Sequence, residues 1–132
     1  MILDTNVLLR ALDGDTSAHG QAVRRRIETA RATGEPLTVL SATVLEVAYV
    51  LESARAGYGW DRHVIGQAIE AVIDEPAFDL EHADALRRAV TSYRARSVDL
   101  HDCLLSAVAN EGNTRVLSFD EDLHRLGTGE QP

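Results

Sequence analysis

Four carboxylates stand where chemistry could use them: Asp4, Glu46, Asp102 and Asp120. Asp4 directly follows the apolar pair Ile2-Leu3, and Asp120 comes three residues after Leu117 in Leu117-Ser118-Phe119-Asp120-Glu121-Asp122. Both positions read as the junction from a short strand into a helix. Glu46 borders the apolar stripe Val44, Val47, Ala48 and Leu51 of another helix. Its neighbours three and four residues away are Ala42, Thr43, Tyr49 and Val50, none of them basic. A carboxylate beside a core face without a local ion pair is either solvated or coordinates something. Asp102 projects from the first turn of a helix expected to be capped by Asp99, with Leu104, Ala107 and Val108 turned to the core. Each acid also has an ordinary structural role open to it. Asp is a favoured helix cap, worth about 1 kcal/mol, and a carboxylate suits the positive end of a helix dipole. Asp99 and Asp102 together could make a capping-box-like pair. Gathered at one edge of a sheet, however, four carboxylates would repel one another unless a divalent cation balanced them. Oxygen ligands with no Cys or His nearby select Mg²⁺ or Mn²⁺, ions that suit phosphate substrates. The chemistry indicated is phosphodiester hydrolysis assisted by one or two metals, which activate water and stabilise charge on the transferring phosphorus.

Short apolar strands alternating with long amphipathic helices must position these acids. The spacing predicts a very short strand at Ile2-Leu3, then helices over Asn6–Leu12 and His19–Thr33, the second ended by Gly34. A buried strand at Leu37–Leu40 leads into a helix capped by Ser41, which runs to Arg55 and stops before Gly57 and Gly59. Asp61 caps a helix to Asp74, residues 77–80 make a short strand, and a helix covers His82–Arg96. Asp99 then caps a helix to Glu111, Arg115–Leu117 is a strand, and a last helical turn spans Glu121–Leu126. This alternation indicates an α/β fold with a mostly parallel sheet, where ligands bind beyond the carboxyl ends of the strands.

Composition narrows the function further. The chain of 132 residues is expected to form a single domain over 1–132, and its 45% hydrophobic content suits a folded core. It carries 13 basic and 21 acidic residues for a net charge of −8, and every basic residue is arginine. Without lysine there is no P-loop, no Schiff base and no Ser-Lys dyad. The acidic balance argues against holding DNA by bulk charge alone. A lone Cys103 forms no internal disulfide, the N-terminus has no basic region, and no apolar run approaches a membrane span. A reducing, cytoplasmic setting is the expectation.

The order of these residues is similar to that of a known family. Ile2-Leu3-Asp4-Thr5-Asn6, Glu46 in the helix after the second strand, Asp102-Cys103-Leu104-Leu105-Ser106-Ala107 and Leu117-Ser118-Phe119-Asp120-Glu121-Asp122 follow one another as expected. Over nearly its whole length the chain resembles a PIN-domain ribonuclease and, by its size, a VapC-like toxin of a type II toxin–antitoxin pair. The resemblance implies a PIN-like three-layer fold with a short, mostly parallel sheet of four to five strands flanked by helices. It implies Mg²⁺-dependent endonucleolytic cleavage of RNA, with Mn²⁺ as a substitute ion. Asp4, Glu46, Asp102 and Asp120 would be catalytic acids that bind the metal, with Asp122 as an accessory ligand. Thr5, Asn6 and Ser118 would orient the acids or the waters around the metal. Asp99 competes with Asp102 for the third acidic position, where Asp102 matches better because the small and apolar helix pattern follows it; Asp122 competes with Asp120 for the fourth, where Asp120 is favoured. The implied partners are RNA, a second copy of the chain and a cognate antitoxin that blocks the acidic pocket. The family often has a final strand after the last acid, whereas Gly127–Pro132 is short and polar, so that strand is expected to be truncated or missing.

Rival readings have sequence tests of their own. A haloacid-dehalogenase-type phosphatase needs a second Asp where Asn6 stands, and both it and a response-regulator receiver need a late lysine. The competing reading from a different class is a catalytically inactive PIN-like module that binds RNA or protein. Arg24, Arg25, Arg26 and Arg31 share one helix and read as a solvated face, with Arg24 opposite Glu28, although they could contact phosphate. Glu52 is expected to pair with Arg55. The five histidines are scattered without catalytic partners, and Tyr49, Tyr58 and Trp60 read as packing or protein-contact residues rather than base-stacking ones.

Overall fold

The computed structural model describes residues 1–132. Helix α1 (Thr5–Leu12) opens the fold, its first turn capped by Asp4, whose side chain accepts from the Val7 N–H. Helix α2 (Ala18–Thr33) is capped by the Ser17 hydroxyl and ended by Gly34, whose φ of 71° puts it in the left-handed region that glycine tolerates. Strand β1 (Leu37–Val39) leads into α3 (Ser41–Glu52), and α4 (Arg62–Asp74) leads into β2 (Phe78–Leu80). Helices α5 (Ala83–Ala95) and α6 (Leu100–Glu111) follow, then β3 (Val116–Leu117), α7 (Glu121–Arg125) and β4 (Gly129–Glu130).

All strand pairings are parallel. β1 pairs with β2 in the register Leu37↔Phe78, Thr38↔Asp79 and Val39↔Leu80. On the other side of β1 the N-terminal segment makes a parallel bridge from Ile2 to Thr38, with Leu3 N–H donating to Thr38 O at 2.9 Å. β3 and β4 form a separate pair, Val116↔Gly129 and Leu117↔Glu130. The architecture is therefore the expected α/β one with parallel strands, but the sheet is interrupted. Its strands are two or three residues long, and no ladder joins the β1–β2 pair to the β3–β4 pair. The final strand does form, as the two-residue β4 held by Val116 N–H on Thr128 O and Ser118 N–H on Glu130 O, both 2.9 Å.

The core lies between the strands and the helices. Val44, Val47, Ala48 and Leu51 of α3 are buried as the stripe required, and they pack in one cluster with Leu86, Val90 and Tyr93 of α5 and Leu37 and Val39 of β1. Several expectations are corrected. Ser41 does not cap α3. It is the first helical residue, drawn inward because its hydroxyl donates to Glu81 O and its N–H to Glu81 Oε1, both at 3.1 Å. α3 stops at Glu52, three residues early, where the chain turns so that Trp60 N–H can satisfy Leu51 O. Val108 is 36% exposed; Leu100, Cys103, Leu104 and Ala107 make the inner face of α6 instead. Arg24 donates to Asp15 O and does not pair with Glu28. Glu52 accepts from the buried Tyr93 hydroxyl and lies 3.9 Å from Arg62, so its cation comes from α4 and not from Arg55. No helix is long and apolar enough to cross a membrane.

Candidate metal centre

Side-chain oxygens of Asp102, Asp120 and Asp122 all lie within 4.8 Å of one another. Two elements far apart in sequence supply them: the first turn of α6 and the start of α7, which are packed together. Asp120 follows β3 and occupies the N-cap of α7. Its Oδ1 accepts from the Asp122 N–H at 2.9 Å, while its own N–H donates to the Ser118 hydroxyl at 2.9 Å. These two local bonds fix Asp120 at the end of the strand, with Ser118 in the supporting position. Capping is thus real for Asp120, and it engages only one of the two oxygens.

Asp102 behaves differently. Asp99 stands at the N-cap of α6 but its side chain makes no capping bond, and no hydrogen bond reaches the Asp102 carboxylate, so the capping-box pair does not form. The Asp102 side chain is 16% exposed. Burial raises its pKa above the ordinary aspartate value, and the negative charge of Asp120 raises it further; His101, 3.7 Å away, works in the opposite direction. Of the two rivals for the third acidic position, Asp102 joins the cluster. Asp99 stays outside it, exposed, and acts on Asp102 only as a further negative charge. Asp120 and Asp122 are both in the cluster.

Asp4 and Glu46 are not among these three. Glu46 is exposed on α3 and accepts from the Thr5 hydroxyl at 2.7 Å. Thr5 is the residue after Asp4, so this bond ties Glu46 to the start of α1. Asp4 itself caps that helix through Oδ1 at 2.9 Å from Val7 N–H, and it is exposed. Asn6 is exposed. Two acidic groupings therefore result. One is the three-carboxylate cluster, and the other is Asp4 and Glu46 at the joined starts of α1 and the middle of α3.

The donor set of the cluster is entirely carboxylate oxygen, with no Cys or His in it. That fits a hard divalent ion such as Mg²⁺ or Mn²⁺ better than Zn²⁺. Three carboxylates at this separation are mutually repulsive, and a dication would reverse the sign of their interaction. One participant escaped the sequence reading. Arg125 donates to Asp122 Oδ1 at 2.8 Å from three residues on, and the Asp-x-x-Arg spacing on one helix face was the signal that could have found it. The other conspicuous residues lie elsewhere. Arg31 grips Glu75 through two bonds of 2.7 and 2.6 Å. Tyr58 and Trp60 stack edge to face at 6.0 Å, and Tyr49 is 75% exposed.

Two comparisons bear on this arrangement. The sequence profile of the PIN domain matches residues 1–129. The chain is 32% identical over 127 residues to a VapC ribonuclease of Aquifex aeolicus (strain VF5), covering 96% of this chain and 91% of that protein.

Proposed function

The chain belongs to the PIN-domain family, and from that premise we propose that it is a divalent-metal-dependent endoribonuclease acting as the toxin of a toxin–antitoxin pair. The observation that carries this reading is the convergence of Asp102, Asp120 and Asp122 within 4.8 Å from two separate elements. Asp102 and Asp120 would hold the ion, with Asp122 as a third, accessory ligand. Asp4 and Glu46, the second acidic grouping, would serve as further catalytic acids that receive water and the scissile phosphate. Mg²⁺, or Mn²⁺ in its place, would supply water activation and charge neutralisation at phosphorus.

The chain's own residues do the rest. The Asp122 N–H holds the Asp120 carboxylate in one orientation, while the Ser118 hydroxyl accepts from the Asp120 backbone N–H and fixes the main chain there. The Val7 N–H likewise orients the Asp4 carboxylate, leaving its second oxygen without a hydrogen bond. Thr5 orients Glu46 through its 2.7 Å hydrogen bond, and Asn6 offers a polar contact on the same exposed turn. Such preorganisation is what supporting polar residues contribute at metal sites. Asp99 adds negative potential beside Asp102 without joining the ligand set. RNA as substrate, a homodimer, a cytoplasmic setting and a cognate antitoxin that covers the acidic residues belong to the same reading, which takes residues 1–132 as one functional domain.

The test is cleavage of RNA by purified protein in Mg²⁺, in Mn²⁺ and in EDTA, with growth after induced expression followed in parallel. The expectation is cleavage with either ion, none in EDTA, and loss of both cleavage and growth arrest in Asp4→Asn and Asp102→Asn. Absence of metal-dependent cleavage, together with unchanged growth in Asp4→Asn, would instead favour the inactive binding module.

A further inference from the structure

The acidic cluster carries its own cation. Among the chain's arginines, seven others pair with carboxylates outside the cluster. Arg125 alone bonds a cluster member, at 2.8 Å from Asp122 Oδ1. Since the chain contains no lysine, no other permanently charged side chain touches these acids. Arg125 is anchored at its base and loose at its tip. Arg96 donates to the Arg125 main-chain carbonyl at 3.1 Å, fixing the end of α7. The guanidinium itself is on a side chain 59% exposed, and one hydrogen bond uses one of its five donors.

A phosphodiester approaching three carboxylates meets repulsion. With one dication and one guanidinium added, the formal charge of the cluster falls to zero. A planar, always-charged group with free donors is also the side chain best shaped for phosphate oxygens. We propose that Arg125 has two states: in the metal-free protein it is the counter-cation of Asp122, and in the loaded site it turns outward to bind the RNA phosphate beside the scissile bond. This rests on the metal-dependent ribonuclease reading above and assigns to one residue the phosphate contact that reading leaves open.

The two states predict effects of opposite sign. Removing the charge in Arg125→Ala frees Asp122 from a competitor, so Mn²⁺ binding, followed by the loss of free Mn²⁺ signal in electron paramagnetic resonance, tightens by roughly 2–5-fold. RNA binding weakens by about 10-fold. It is measured by anisotropy of a labelled, mixed-sequence, single-stranded RNA of about 20 nucleotides in an Asp4→Asn background. The slope of log affinity against log salt becomes shallower by about 0.7, one phosphate contact on a single strand. Arg125→Lys keeps the salt slope, and Arg125→Gln carries the same tests should the alanine variant fail to fold. Unchanged Mn²⁺ affinity and salt slope in Arg125→Ala, with wild-type Mn²⁺ binding intact, would overturn this assignment alone. Weaker Mn²⁺ binding in Arg125→Ala would overturn it too, by making Arg125 a residue that merely holds Asp122 in place. If the wild-type protein binds no Mn²⁺, the ribonuclease reading itself falls.

Discussion

Replacing Asp102 by asparagine should make the metal-free protein more stable and at the same time deaf to metal. The side chain is 16% exposed, accepts no hydrogen bond and has the charge of Asp120 beside it. Two unit charges at the 4.8 Å limit of the cluster repel by about 0.9 kcal/mol in water and about 3.5 kcal/mol at an effective dielectric of 20. Asp120 is exposed and Asp122 is already paired with Arg125, so the low end applies, with a desolvation cost for Asp102 added. Asp102→Asn, nearly isosteric, should therefore stabilise the protein in EDTA by about 1–2 kcal/mol. For a chain of this size that is a rise in melting temperature of roughly 4–8 °C. Adding Mn²⁺ at about 100 times its Kd should stabilise the wild type by about 2.7 kcal/mol and the variant far less. The pH dependence gives an independent sign. Asp102 titrates above its ordinary value, so its charged form is the one the fold disfavours. The penalty is fully present above the folded pKa and disappears as pH falls through it, so the wild type should approach the variant's stability in mildly acidic EDTA buffers. Thermal melts by circular dichroism across pH, with and without Mn²⁺, read all of this. A lower melting temperature for Asp102→Asn in EDTA would show that the carboxylate serves the fold, and an undiminished Mn²⁺ shift would remove it from the ligand set.

Two further outcomes test the scaffold. Arg62 donates through Nε to Tyr93 O at 2.9 Å and through a second nitrogen to Val98 O, with its guanidinium 3.9 Å from the Tyr93 ring centroid. Arg62→Met should cost about 2–3 kcal/mol by urea unfolding, because two part-buried carbonyls lose their donor and the cation–π contact goes; a loss under about 0.5 kcal/mol would contradict this. Gly20 lies inside α2, where alanine would ordinarily gain about 1 kcal/mol. A Cβ there would sit 2.0 Å from the Asp15 backbone oxygen, so Gly20→Ala should instead destabilise by about 2 kcal/mol, and a higher urea midpoint would refute the close approach.

How much of this could be read beforehand depended on the range of the interaction. Helix positions followed from local signals: Asp61 caps as its type predicts, and Gly34 ends α2 in the conformation only glycine adopts cheaply. Ser41 failed as a cap because its hydroxyl was claimed by Glu81, 40 residues away, a partner that no window along the chain contains. Glu52 departs from its expected pairing with Arg55 for the same reason, its partners Tyr93 and Arg62 lying on α5 and α4. The sheet was legible in its parallel sense but not in its continuity, since two-residue strands give no period to count. The sequence favours Asp102 over Asp99 only through the small and apolar pattern that follows it, and the contact that separates them in space is the packing of α7 on α6.

Helix capping does not exclude ligand duty at Asp4 and Asp120, because each cap bond uses one carboxylate oxygen. A cap bond is made by one carboxylate oxygen to an N–H two or three residues on. It leaves the second oxygen unengaged and holds its direction relative to the helix. A freely rotating side chain would lose rotamer entropy on taking up a ligand geometry, and one already pinned by its own backbone has lost it during folding. The capped acids are thus suited to be fixed ligands or catalytic acids. Asp102, which has no cap bond and has a burial penalty, is the member whose charge the fold tolerates least. That asymmetry makes Asp102 the position at which stability and metal affinity should be opposed most sharply.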